Sequence, residues 1–184
     1  MALLLEWQRR INLIAPSTVP EVWERHVADS LQLLSLIPDG TTAIADLGSG
    51  AGFPGIVLAC ALEKPVHLFE ANGKKCAFLR EALRVTGRIG QVHHMRLEKL
   101  TEMSGLPDVQ LVTARALAPL DELIGYAKPF LDRGATALFH KGESLEVELT
   151  NARKCWRIDG IRHSSVIDSQ SAIFEVREVR RVGS

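Results

Sequence analysis

Between residues 43 and 62 an apolar strand runs straight into a glycine-rich loop and then into a helix, and few folds accommodate that succession. The strand over 43–47 ends at Gly48-Ser49-Gly50-Ala51-Gly52-Phe53-Pro54-Gly55, and residues 56–62 follow with helical spacing. Four glycines in eight residues let the backbone turn sharply and let a ligand approach with no Cβ in the way. A helix opening on such a loop offers its first amides to an anion or a carboxylate. The unit reads as the first strand–turn–helix of a parallel α/β sheet with a ligand lying across the carboxyl ends of its strands.

The rest of the chain repeats the alternation. Further strands are expected over 66–70, 92–97, 109–114 and 135–140, with helices between them. Asn72 can cap a helix whose inward face is Cys76, Ala77, Phe78 or Leu79, Ala82 and Val85. Residues 119–131 and the charged segment 143–155 are helical, and 157–166 and 172–182 are two long strands joined by a polar turn. Ahead of this pattern, Leu3, Leu4, Trp7, Ile11 and Ile14 place a helix over 2–14. After Pro16 and Pro20, Val22, Trp23, Val27, Leu31 and Leu34 place a second, closed by Pro38-Asp39-Gly40. The expected architecture is an α/β Rossmann-like unit over 41–184, mostly parallel with helices on both faces, carrying an N-terminal helical appendage over 1–40 within a single structural domain.

Composition narrows the class. The chain has 184 residues, 46% of them hydrophobic and 24% charged, which suits a globular domain with a full core. No run of about 18 apolar residues occurs, so no membrane span is expected. The opening MALLLEWQRR is too short and too soon charged for a secretory signal, and the cytoplasm is the expected compartment. Cys60, Cys76 and Cys155 are scattered and fit a reducing environment rather than a disulfide scaffold or a zinc site. His93 and His94 are neighbours on a strand and point to opposite faces, which makes a poor metal site, so no metal is expected. The formal net charge of zero excludes a strongly basic coat but not a local basic face.

Two acids bear on the ligand. Gly50-x-Gly52-x-x-Gly55 matches the dinucleotide fingerprint, and Glu70 ends the next strand about 20 residues on, where a ribose-binding acid belongs. That much admits a nicotinamide cofactor as readily as S-adenosylmethionine. Asp46, in Asp46-x-Gly48-x-Gly50-x-Gly52, favours the second: an acid beside the first glycine is unhelpful near a pyrophosphate and useful near the cationic methionine portion of S-adenosylmethionine. The competing readings are that Asp46 satisfies turn amides and that Glu70 caps the next helix or pairs with Lys74 and Lys75.

The stretches DLGSGAGFPG (46–55), ERHVADSL (24–31), NLIAPS (12–17), EANGKKCAFL (70–79), RLEKL (96–100), ARALAPL (114–120) and HKGES (140–144) together resemble the bacterial glucose-inhibited-division B family, over nearly the whole chain and in family order. The resemblance implies a class I S-adenosylmethionine-dependent methyltransferase that modifies a guanine N7 in 16S ribosomal RNA of the small ribosomal subunit. It implies that Gly48 and Phe53 sit in the cofactor loop and that Leu97 and Glu98 lie beside the adenine. It further implies that Arg115 reaches the cofactor carboxylate or the target base, and that Lys141, His26 and Asp29 face the substrate. In that family about one more helix usually precedes the position of Met1.

Other readings of these residues are open on the sequence alone. His26 and Asp29, at i and i+3, could simply pair on a helix surface, and Arg115 could be a structural ion-pair residue. Residues 143–148 read as a solvated face, as do Lys74, Lys75, Arg80, Arg84 and Arg88, though that basic stripe could meet phosphates. The Asn/Asp-Pro-Pro-aromatic motif of amine methylation is missing, as is the Pro-Cys nucleophile of cytosine-C5 methylation: Cys60 follows Ala59. A small-molecule or protein methyltransferase, a nicotinamide-dependent oxidoreductase and a binding-only module are the alternatives, and a monomer is expected.

Overall fold

Strand β1 (Ile44–Leu47) is buried on both faces. Ile44 packs with Leu58 and Leu68 in one core, while Ala45 and Leu47 pack with Phe69 and Phe139 in another on the opposite face, the period-two alternation of a strand. A computed structural model describes residues 1–103 and 105–183 and builds a seven-stranded sheet around this strand. Strand β1 pairs in parallel with β2 (Val66–Glu70) and β4 (Leu111–Arg115). β3 (Gly90–His94) extends the sheet beyond β2, and β5 (Thr136–Lys141) extends it beyond β4. Beside β5, β7 (Ala172–Arg181) runs antiparallel and forms a hairpin with β6 (Trp156–Ser164), giving the order β3-β2-β1-β4-β5-β7-β6. Helices α3 (Gly55–Leu62) and α4 (Gly73–Thr86) cover one face, and α5 (Leu120–Leu131) and α6 (Leu145–Ala152) the other.

The N-terminal segment lies on the α3–α4 face. Helix α1 (Ala2–Gln8) is followed, after the prolines, by a run over 23–36 that begins as a π-helix (Trp23–Ala28), continues as α2 (Asp29–Leu31) and tightens to a 3₁₀ turn (Gln32–Leu36). Leu4, Leu13, Val22 and Leu33 are buried in the same core as Leu58 and Phe78.

Several local expectations are corrected. The first helix stops at Gln8, not at 14, because the Gln8 amide folds the chain back: its Oε1 accepts from the amides of Leu13 and Ile14, and its Nε2 donates to the Ile14 carbonyl. The third strand covers Gly90–His94 rather than 92–97; beyond it Met95 N–H turns to the carbonyl of Glu70, and Leu97 opens a 3₁₀ turn (Leu97–Glu102). On α4, Ala77 and Val85 face solvent and Leu83 takes an inward place. Asn72 does cap that helix, accepting from the amides of Lys74 and Lys75.

Candidate active site

Because β1, β2, β4 and β5 are parallel, their carboxyl ends open on one edge of the sheet, and there a cleft of about 950 Å³ forms. The glycine loop makes its floor. Gly48, Gly50 and Gly52 all hold left-handed backbone (φ +65°, +54° and +83°), so the loop winds by placing every second residue where a side chain is strained. Ser49 N–H donates to the Phe69 carbonyl (3.0 Å), Gly52 N–H to the Ser49 carbonyl (2.7 Å) and Gly50 N–H to Glu70 Oε2 (2.9 Å). Glu70 Oε1 accepts from Asn72 N–H (2.8 Å). The Glu70 carboxylate therefore ties the loop to the start of α4 while lining the cleft, and a carboxylate's roughly four lone-pair sites leave it capacity for a diol. Asn72, not Glu70, caps the helix.

Gly48, Gly50, Phe53, Glu70, Leu97 and Glu98 line the cleft; Asp46 and Gly52 do not. Asp46 shares a strand face with Ile44, so its side chain points under the loop, fully buried. Thr113 Oγ1 donates to its Oδ1 (2.7 Å), and a Cβ on Gly55 would stand 2.7 Å from its Oδ2. Asp46 is expected beside a cofactor's cationic end; in the structure its buried carboxyl lies behind the loop, outside the cleft lining, with Thr113 of β4 as its donor. Burial pushes it up to about 6 against the pull of the Thr113 hydrogen bond. Gly52 likewise serves packing: a Cβ there would stand 2.6 Å from Ile56 Cγ1 and 3.4 Å from Leu79 Cδ2.

The second wall joins residues far apart in sequence. Arg115, at the end of β4, donates from Nη1 to Asp29 Oδ2 (3.0 Å) and to the Arg25 carbonyl (3.0 Å), and from Nη2 to His26 Nδ1 (2.8 Å). Its guanidinium lies 5.3 Å from the centre of the Phe53 ring, which stacks on His26 at 5.1 Å. An arginine only donates, so His26 Nδ1 must accept and the imidazole proton sits on Nε2. That proton is donated to Thr18 Oγ1 (2.9 Å), whose hydroxyl donates to the Ala15 carbonyl (2.8 Å). Burial, then the Arg115 charge, push His26 down to about 4, which keeps this order intact at neutral pH. The expected i, i+3 relation of His26 and Asp29 proves to be a shared grip on Arg115 rather than a mutual pair.

Beyond Arg115, Ala116 holds φ +50°, a strained position for a residue with a Cβ. It turns the chain so that Leu117 packs over Gly48 and the Ala118 carbonyl meets Lys141 Nζ (3.1 Å). Lys141, at the end of β5, also pairs with Glu148 at 2.5 Å. Next to it His140 Nε2 donates to the Asp29 carbonyl (2.9 Å), and burial holds this histidine below its ordinary range.

Sequence reasoning missed His140 and Glu148. His140 carries no spacing signal of its own within HKGES, and Glu148, expected on a solvated face, is half-buried against Lys141. Of the expected basic stripe, Arg84 pairs with Glu81 and Arg88, just past α4, with Glu63, while Lys75 joins Arg25 and Arg96 around the cleft. His93 stacks on Phe69 and meets His67 at 3.1 Å, while His94 turns to the Ala71 carbonyl, the two opposite faces expected of them. Among the described residues no group of histidines, cysteines and acids could hold a metal, and no helix is long and apolar enough to cross a membrane.

The family model GidB, rRNA small subunit methyltransferase G, matches residues 1–176. The ribosomal RNA small subunit methyltransferase G of Bradyrhizobium sp. (strain BTAi1) is 54% identical over 186 residues, covering 98% of this chain and 82% of that protein. Its namesake from Rhodopseudomonas palustris (strain BisA53) is 50% identical over 184 residues, covering 98% and 79%. Among solved structures, a ribosomal protein L11 methylase from Lactobacillus delbrueckii subsp. bulgaricus is similar at TM-score 0.60 and 18% identity, covering 85% of this chain and 78% of that one. M. capricolum TrmK, in complex with S-adenosyl-homocysteine, is similar at TM-score 0.57 and 15% identity, covering 80% and 66%. At such identities these two likenesses speak for the fold.

Proposed function

This chain belongs to the rRNA small subunit methyltransferase G family, and from that premise we propose that it transfers the methyl group of S-adenosylmethionine to N7 of a guanine in 16S ribosomal RNA. The observation that carries the reading is the division of one cleft between two sets of strand ends. The glycine loop, Glu70 and Leu97 follow β1, β2 and β3, whereas Arg115 and Lys141 end β4 and β5.

The first set fits S-adenosylmethionine. A Cβ at Gly50 would have no protein atom nearer than the Gly48 carbonyl oxygen at 3.7 Å, so the space above it is open to a ligand. Glu70 would accept from the ribose hydroxyls, and Leu97 with Glu98 would lie along the adenine. Phe53 and Gly48 would border the methionine portion. When bound, the cofactor supplies an electrophilic methyl group on a sulfonium.

The second set would hold the acceptor. Guanine N7 carries an in-plane lone pair and no proton, so no general base is needed. Alignment is the main contribution these residues can make, worth about 7–11 kcal/mol in favourable systems. Lys141 keeps one N–H beyond those given to Glu148 and Ala118, and guanine O6, beside N7, is a fitting acceptor for it. Arg115 is held by His26 and Asp29 and would border base and cofactor alike. Those two residues would then act by placing Arg115 rather than by touching the reacting atoms. A base must leave its stack to reach such a cleft, so a loop or an accessible assembly state is the expected substrate. Arg25, Lys75 and Arg96 would meet flanking phosphates.

A ribosomal RNA substrate supports the cytoplasm as its place of work, and a monomer is the proposed state. Methyl acceptance measured side by side on free 16S RNA, small subunits and intact ribosomes tests the reading. Incorporation into at least one of them is expected, and incorporation into none would refute an RNA substrate.

A further inference from the structure

Helix α6 carries one carboxylate that is not a surface group. Glu148 keeps 19% of its side chain exposed, and its partner Lys141 keeps 8%. Glu148 Oε2 meets Lys141 Nζ and also accepts from Leu120 N–H at the start of α5 (2.9 Å). Its Oε1 accepts from Ser144 Oγ ahead of α6 (2.7 Å). Burial alone would raise this carboxyl; the donors around it outweigh that and hold it below the usual carboxylate range. Exposed ion pairs drift and contribute little. Here three donors from three separate elements converge on one enclosed carboxylate, so its place is fixed.

The ammonium it grips stands at a partition. Lys141 borders the main cleft and also a second pocket of about 400 Å³, whose walls add Pro119, Leu123 and Glu148 itself. Of the three N–H donors of the ammonium, Glu148 and the Ala118 carbonyl take two. A lysine side chain is a flexible four-carbon stem, and without an anchor its remaining donor would sample many directions.

We propose that Glu148 is a positioning residue for methyl transfer: itself held in place by Leu120 N–H and Ser144 Oγ, it holds the Lys141 ammonium with its one uncommitted N–H available to the acceptor base. The inference rests on the reading of Lys141 as facing the acceptor. A misplacement of about 1 Å in a group that aligns reactants can cost on the order of 10²-fold in rate, so the role is kinetic and not merely structural.

The test uses the full chain with Glu148→Gln, Lys141→Met and the double variant. Turnover and KM are measured on small ribosomal subunits, cofactor affinity by calorimetry, and stability by thermal unfolding. Glu148→Gln is expected to lower kcat by about 10²-fold while leaving cofactor affinity and KM unchanged. The double variant is expected to be no slower than Lys141→Met alone, because Glu148 acts through Lys141. Three results would overturn the proposal: normal turnover in Glu148→Gln, losses that multiply in the double variant, or a loss that follows the melting temperature or cofactor affinity. If Lys141→Met itself turns over normally, the reading of Lys141 fails and this inference falls with it. If only Glu148→Gln is normal, the reading stands and the positioning role alone is refuted.

Discussion

The glycines of the loop separate binding from folding, and substitution by alanine exposes the difference. At Gly50 the new Cβ meets only the Gly48 carbonyl oxygen, at an ordinary 3.7 Å. The folding cost is that of left-handed backbone with a Cβ, about 1–2 kcal/mol, since φ is +54°. In a domain of this length that lowers Tm by roughly 2–8 °C. The same methyl stands in the open space over the loop, where the cofactor must approach, so affinity is expected to fall by at least about 100-fold, or roughly 2.7 kcal/mol. Gly55→Ala gives the opposite outcome. Its Cβ would lie 2.7 Å from Asp46 Oδ2 and from Leu68 Cδ2 and 2.8 Å from Asp46 Cβ, all behind the loop and buried. Overpacking of that kind costs about 1–3 kcal/mol or more, with no group added to the cleft. Calorimetry with S-adenosylmethionine and thermal melts on both variants check the pair. Wild-type affinity in a folded Gly50→Ala protein would refute the assignment of the loop.

Glu70→Ala is expected to weaken S-adenosylmethionine binding by about 1.5–3 kcal/mol, the scale of hydrogen bonds to a charged group, because the carboxylate anchors Gly50 and faces the cleft; undiminished affinity in calorimetry would leave it only a loop anchor. For Asp46 the folded carboxyl, near 6, binds its proton more tightly than the unfolded one at 3.8, so stability should fall as pH rises from about 4 to 6, by at most roughly 3 kcal/mol. Asp46→Asn should abolish that slope in unfolding titrations, and an unchanged slope would assign it to other groups. The cleft histidines His26 and His140 are held below their ordinary range, and His26 near 4, so turnover should show no sigmoidal rise around pH 6.5. Folding stability contributed by neutral His26 should be complete above that pH and lost as pH falls toward 4.

Much of this molecule is legible in its sequence, and the exceptions have physical causes. The strand over 66–70 ends where Glu70 was expected, because apolar alternation and the following Asn72 cap are local signals. The three alternating glycines announce the loop for the same reason. The direction of Asp46 was also readable: it shares parity with Ile44, and Ala45 shares parity with Leu47, so a strand buried on both faces turns Asp46 toward the α3 side. The hold of Asp29 on Arg115 bridges 86 residues, and no spacing rule reaches that far. Glu148 sits among other acids on a short charged helix, and only the arrival of Lys141, Leu120 and Ser144 distinguishes it. The winding over 23–36 changes from π to α to 3₁₀ around His26 and Asp29, the residues that hold Arg115, and the hydrophobic period gives no warning of it.

The identity of the acceptor atom is read directly from 16S RNA reacted with this enzyme and S-adenosylmethionine, digested to nucleosides and analysed by mass spectrometry. The expected product is 7-methylguanosine, since guanine N7 carries no proton for a base to remove. Methyl groups found only on an exocyclic amine, a ribose or a pyrimidine carbon would contradict it.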